Sequence, residues 1–247
     1  GTFYDILAAI YDKLKSQSHA HIAVYQAREI SARMLICAIE LGPVGEFDFT
    51  DMARAFLAAD NALFDAKYRS ILIDVFKKRK LLSKTESNKF LEQIDTLPKI
   101  KIPATINSAL SAAMFLENEI MPALNIEPDG EFIPLTAYRN AGGQAYITYL
   151  SSRTIVLDGK QYKDYEGTGM DLFGGLTLMF DDDDNLRSAF YRPISDEDIR
   201  QVKVMTLDLI KQGLIADASS PQHIGAPQGL FLSNLRSPGQ DSDLASR

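Results

Sequence analysis

With 247 residues, 46% of them hydrophobic and 24% charged, the chain is long and apolar enough to bury a sizeable core and to divide into two domains, which excludes disorder of the whole. The formal net charge is -7 and Lys and Arg are scattered, so the broad basic surface that phosphate backbones require is missing and nucleic acid is not expected as a partner. The one cysteine, Cys37 in "ARMLICAIEL", permits no intrachain disulfide; it reads as a buried small hydrophobe, and cysteine usage favours the cytoplasm over secretion.

No apolar run approaches the roughly 20 residues of a membrane span, and no charged leader precedes a hydrophobic stretch, so no membrane partner is expected. The chain opens "GTFYDILAAI" without methionine and enters a helix at once, which suggests a piece of a longer protein.

Residues 1–125 read as a helical domain. Phe3, Ile6, Leu7, Ile10 and Leu14 share one face of a first helix that "SQS" ends. A longer helix from about His19 to Leu41 carries Ala23, Ala27, Ile30, Met34 and Ala38 along one side and stops at Gly42 and Pro43. It is apolar enough to predict a central position.

"FTDMARAFLAAD" follows, with Asp48 or Thr50 as cap and Asp51 at the positive end of the helix. Its alanines, Ala53, Ala55, Ala58, Ala59 and Ala62, let neighbouring backbones approach, so this helix is expected to be wedged among others. "AKYRSILIDVFKKRK" predicts an amphipathic helix with Tyr68, Ile71, Leu72, Val75 and Phe76 inward, and with Lys77 to Lys80 complementing the negative end of its dipole. Residues 84–95 predict a short polar helix, "LPKIKIPAT" a linker or edge segment, and "INSALSAAMFLENEIMPALN" a last helix.

From 126 to 215 the pattern changes to an α+β domain. "EFIPLTAYRN", "AYITYLSSRTIVLDG", "GGLTLMFD" and "LRSAFYRPI" are β-branched and aromatic runs bounded by Gly, Pro and Asp, as in a small antiparallel sheet, with "DDDDN" as a hairpin connection. "SDEDIRQVKVMTLDLIKQGL" then predicts a helix capped by Ser195, with Gly213 near its end. Residues 216–247, rich in Ser, Pro and Gly around the apolar "GLFLSNL", predict an extended or partly disordered tail. The fold class is therefore α+β: a helical bundle, a small antiparallel-sheet domain with a C-terminal helix, and a tail.

Candidate chemistry is sparse. His19 and His21 form an H-x-H pair, but two residues apart on a helix sets side chains about 200° apart, so they cannot grip one ion unless the segment is extended. Asp181 to Asp184 with Asn185 resemble a calcium loop superficially, yet Leu186 stands where the sixth-position glycine belongs and Arg192 where the twelfth-position glutamate belongs. "EGTGMDLFGG" matches neither a phosphate loop nor a dinucleotide fingerprint and reads as turn and strand entry. No G-x-S-x-G supports Ser151 or Ser152 as a nucleophile, and the paired carboxylates Glu117 with Glu119 and Asp48 with Asp51 read as helix surface and cap. No metal site or catalytic residue is assigned.

The order "AREISARMLICAIEL", "FDFTDMARAFLAADNALF" and "YRSILIDVFKKRKLL" resembles the helical C-terminal subdomain of thermolysin-like and fungalysin-like zinc metallopeptidases. Ala53-Arg54-Ala55 with Ala58-Ala59-Asp60 carry the second element of that pattern, and Phe76 with Arg79 the third. The resemblance implies a non-catalytic C-terminal portion of a metallopeptidase-like protein that supports a cleft. Zinc and its His-Glu-x-x-His helix would belong to a missing N-terminal region, which would be the natural partner. "FGGLTLMFDDDDNLRSAFYRPI" looks like an α+β module appended after such helices in some large bacterial proteins.

Two alternatives stand beside it. In one, the chain is a free-standing module that binds a peptide or protein through Tyr138, Arg139, Tyr146, Tyr149 and Arg153, since aromatic and Arg side chains are suitable anchors. In the other it is a hydrolase of unrecognised type.

Overall fold

The computed structural model describes residues 1–42, 47–106, 108–128 and 130–215, and the backbone of Leu235 and Arg236. The fold is α+β, 53% helical, with helices first, an antiparallel sheet after them and a C-terminal helix. Two compact units divide it: Gly1–Pro128 with Phe132–Leu150 and Gly174–Arg192, and Asp129–Glu131 with Ser151–Phe173 and the chain from Pro193 on.

In the first unit, α1 (Thr2–Lys15), α2 (Ala20–Leu41), α3 (Phe49–Phe64), α4 (Arg69–Lys78) and α5 (Lys84–Asp95) form where the periodicity predicts them. Among the described residues four helices begin with reciprocal capping boxes, including Asp48 with Asp51 on α3 and Ser83 with Glu86 on α5. In each, two amides that the helix leaves without partners are satisfied by side chains. Pro43, the other half of the expected stop of α2, lies outside the described residues.

The alanines of α3 answer to its surroundings. Ala53, Ala55, Ala58 and Ala59 are buried because α3 packs against α2, α4, α5 and strand β4 (Leu186–Arg192), a crowding that longer side chains would prevent. At its end Asp65 and Ala66 adopt left-handed backbone, and the buried Asp60 carboxylate accepts the Tyr68 N–H through both oxygens, at 3.1 and 3.2 Å.

The expected last helix is interrupted. α6 (Ala109–Phe115) passes through a π turn (Leu116–Ile120) into α7 (Met121–Leu124). Pro122 supplies the reason: it has no N–H to donate and its ring collides with the carbonyl one turn back, so the ladder slips by a residue. Segment 100–102 does act as an edge, with Lys101 bridging Asn185 antiparallel and Leu186 N–H donating to the Ile100 carbonyl at 2.9 Å.

The sheet runs in the order β1 (Glu131–Arg139), β2 (Ala145–Val156), β3 (Gly169–Phe180), β4. Within the first unit it is covered on both faces. Ala145, Ile147, Tyr149, Leu176, Leu178 and Phe180 meet Ala112, Phe115, Leu116 and Ile120, while Tyr146, Met179 and Phe190 join the core of α1 to α5. Because successive strand residues point to opposite faces, residues of the sheet join the same core as the helices, and the division between the two units falls within β2 and β3.

The second unit has its own core: Ile155, Leu157, Tyr162, Met170, Leu172, Ile194, Val202, Ile210 and Ile215. It holds α8 (Asp196–Lys211), capped by Ser195 as expected, and Tyr165, whose hydroxyl donates to the Ile215 carbonyl at 2.8 Å. β3 starts earlier than expected, so Met170 to Gly175 of the glycine-rich stretch are strand and not turn. Of the 216–247 tail, only β5 (Leu235–Arg236) is described, antiparallel to Gly169 and Met170.

Candidate functional site

The outstanding surface feature of the first unit is α2. One face, Ala23, Ala27, Ser31, Met34, Cys37, Ala38 and Leu41, is buried against α1 and α3. The opposite face is also apolar, with Ile22 40%, Tyr25 60%, Ile36 58% and Ile39 58% exposed. The helix expected to be central is therefore central on one side only. Ile22, Tyr25, Glu29, Ala32, Ile36 and Ile39 follow alternating steps of three and four, the a and d positions of a heptad, and share one stripe. Single exposed apolar residues are ordinary, but an ordered row of them marks an interaction surface.

Beside the C-terminal end of this stripe lies a cluster of sulfur and hydroxyl groups. The Tyr146 hydroxyl is 3.8 Å from Cys37 Sγ, which is 3.8 Å from Met179 Sδ. Tyr138 stacks on Tyr146, with ring centroids 5.3 Å apart and planes 11° from parallel, and the Glu40 charge acts on both. Burial pushes the Cys37 thiol up to about 12. Burial, then the Glu40 charge, pushes Tyr138 to about 12, and burial raises Tyr146 further still. A thiolate is the reactive form of cysteine; at neutral pH this cluster keeps its protons and offers no activated nucleophile.

Of the five anchors suggested by the sequence, Tyr146 and Tyr149 are buried within the first unit. Tyr138 is 41% exposed and rests on Tyr146, which is itself buried. Tyr149, three residues on, is fully buried on the other face of the sheet and donates to the Ala112 carbonyl at 3.0 Å. Arg139 is held at the hairpin tips, donating to the Gly143 carbonyl and pairing with Asp184, both at 2.5 Å. Arg153 is exposed and belongs to the second unit. The spacing of the stripe on α2 is present in the sequence, but its exposure is not.

Other candidates take ordinary places. Asp181 accepts from the N–H groups of Asp183 and Asn185 at 3.1 and 2.8 Å, closing the hairpin between β3 and β4. His19 is the extended residue before α2, not part of the helix, so its ring lies parallel to that of His21 with centroids 6.0 Å apart; the expected opposition of the two rings does not hold. Among the described residues no cluster of three or more His, Cys, Asp or Glu is placed to hold a metal ion, and no helix is long and apolar enough to cross a membrane.

Asp60 carries the clearest pH signature. Burial pushes its carboxyl up to about 6, against the opposing pull of the Tyr68 N–H and the charges of Arg69 and Lys13. A raised carboxyl means that the folded state resists ionisation, so stability falls as pH rises from about 4 through about 6. Asp60→Asn, which keeps an acceptor for Tyr68, is expected to gain on the wild type by about 2 kcal/mol between pH 4 and pH 7.5 in urea denaturation. Parallel stability profiles for the two proteins would show that Asp60 ionises freely.

No protein-family model, curated protein or solved structure matches the chain.

Proposed function

We propose that the chain is a non-catalytic binding module that docks on another protein surface through the outer face of α2. The observation that carries this reading is the ordered row Ile22, Tyr25, Ile36 and Ile39, each at least two-fifths exposed on a helix whose other face is core. Keeping such a row in water costs free energy that a partner would recover. The protonated Cys37 cluster at its edge favours a structural over a chemical role.

In the metallopeptidase-like form of this reading, the module buttresses a cleft formed by another part of a larger protein. It is supported by the resemblance over Ala27 to Leu82 and by the contacts of α3 with both α2 and α4. A photoreactive benzoylphenylalanine in place of Tyr25 is expected to give a discrete protein adduct in the cells that make the chain, and Ile36→Glu is expected to remove it. An adduct pattern no different from that of the same probe at Glu92, on the exposed side of α5, would remove the reading.

A further inference from the structure

We infer that the occupant of the α2 face is a second copy of this chain, bound with the two α2 helices antiparallel across a two-fold axis between Glu29 and Ala32. This rests on the binding-module reading above and names its partner.

Three features of the stripe point to self-pairing. The first is its period. Ile22, Glu29 and Ile36 fall seven residues apart, as do Tyr25, Ala32 and Ile39, so the row keeps to one side of α2, with apolar pairs at its two ends and Glu29 and Ala32 between them. The second is its symmetry about the middle. Reversing α2 around that axis sets Ile22 against the partner's Ile39 and Tyr25 against the partner's Ile36, so large apolar residues meet at both ends. At the centre Ala32, the one small residue of the row, leaves room for the backbones to approach.

The third is charge. Glu29 is exposed and occupies a seam position, where it would be an obstacle in most pairings. A parallel, in-register pair would bring it against the partner's Glu29, two carboxylates meeting in a drying interface. The antiparallel pair sets it against the partner's Ala32, beside the partner's Arg33, and the two-fold makes that contact twice. Arg33 is exposed on α2, one residue from the seam position Ala32, with its guanidinium 5.5 Å from the centre of the Phe64 ring. A two-fold contact requires a self-complementary patch, and this one is.

The size of the patch bounds the contact. Four large side chains spread along about 25 Å of helix bury on the order of 1,000 Å² over both copies, the lower edge of specific interfaces. The pair is therefore a reversible dimer, with dissociation expected at roughly micromolar concentration.

Sedimentation equilibrium of the purified full chain from about 1 to about 100 µM is expected to show a monomer–dimer equilibrium. Ile36→Glu should leave the chain folded and weaken association at least tenfold or so. Glu29→Arg should weaken it comparably by facing the partner's Arg33, and adding Arg33→Glu to it should restore most of the affinity. Orientation is read separately: chains carrying Ile22→Cys and chains carrying Ile39→Cys should form a disulfide with each other on mixing, and neither should do so readily alone.

A chain monomeric throughout that range, or a dimer indifferent to Ile36→Glu, overturns self-pairing. Crosslinking of each single-cysteine chain with itself, but not with the other, overturns the antiparallel arrangement. If the chain stays monomeric while the Tyr25 probe still captures a different protein, the inference fails and the binding-module reading survives; failure of both experiments removes both.

Discussion

Asp51→Ala is expected to lower stability by about 3 to 5 kcal/mol, the usual cost of removing one partner from a buried ion pair. Asp51 and Arg192 are 6% and 12% exposed and 3.2 Å apart, and they tie the first turn of α3 to the end of β4. The same carboxylate also pairs with Arg54 at 3.3 Å and faces the Asp48 N–H at 3.4 Å in the capping box. Its loss leaves the Arg192 guanidinium in a low-dielectric site without that counter-charge. Asp51→Asn, which keeps an acceptor for the cap but not the charge, is expected to fall between the two proteins. Urea midpoints at neutral pH measure the series, and a loss below about 1 kcal/mol would class the pair with solvated surface bridges.

Phe190→Ala is expected to cost about 3 to 5 kcal/mol, from lost burial and from the cavity that its neighbours cannot fill. Phe190 is buried on β4, with its ring 6.5 Å from that of Phe47, just before α3, and 5.9 Å from that of Phe90 on α5. Two segments distant in sequence from β4 converge on this ring, so no single side-chain rotation closes the gap. Phe49→Ala is the contrast, since Phe49 is 81% exposed and its removal is expected to change stability by no more than about 0.5 kcal/mol. Equal losses at the two positions would show that Phe190 is not at a junction of packed elements.

Local signals in the sequence were clear where chemistry is local. The caps at Asp48 and Ser195, the amphipathic faces of α1 and α4 and the hairpin at Asp181 all follow from residues within a few positions of one another. The π turn was also within reach of local reasoning, because Pro122 inside an apolar helical run cannot be accommodated by an unbroken ladder.

What stayed hidden depends on distant segments. Tyr146 and Tyr149 differ by an odd number, so they face opposite sides of any strand; which side is covered is decided by Cys37 for one and Ala112 for the other. The stripe on α2 was hidden for a different reason. A helix apolar on two faces looks the same in sequence whether the second face meets other parts of the chain or water, and only the placement of α1 and α3 on one side separates the cases.

The burial of Cys37 reaches beyond the cluster it belongs to. A sole thiol that is shielded from reagents and holds its proton has no ready way to become oxidised or to join one molecule covalently to another. While the chain stays folded, this thiol is thus withheld from disulfide exchange and ties no partner to the chain covalently.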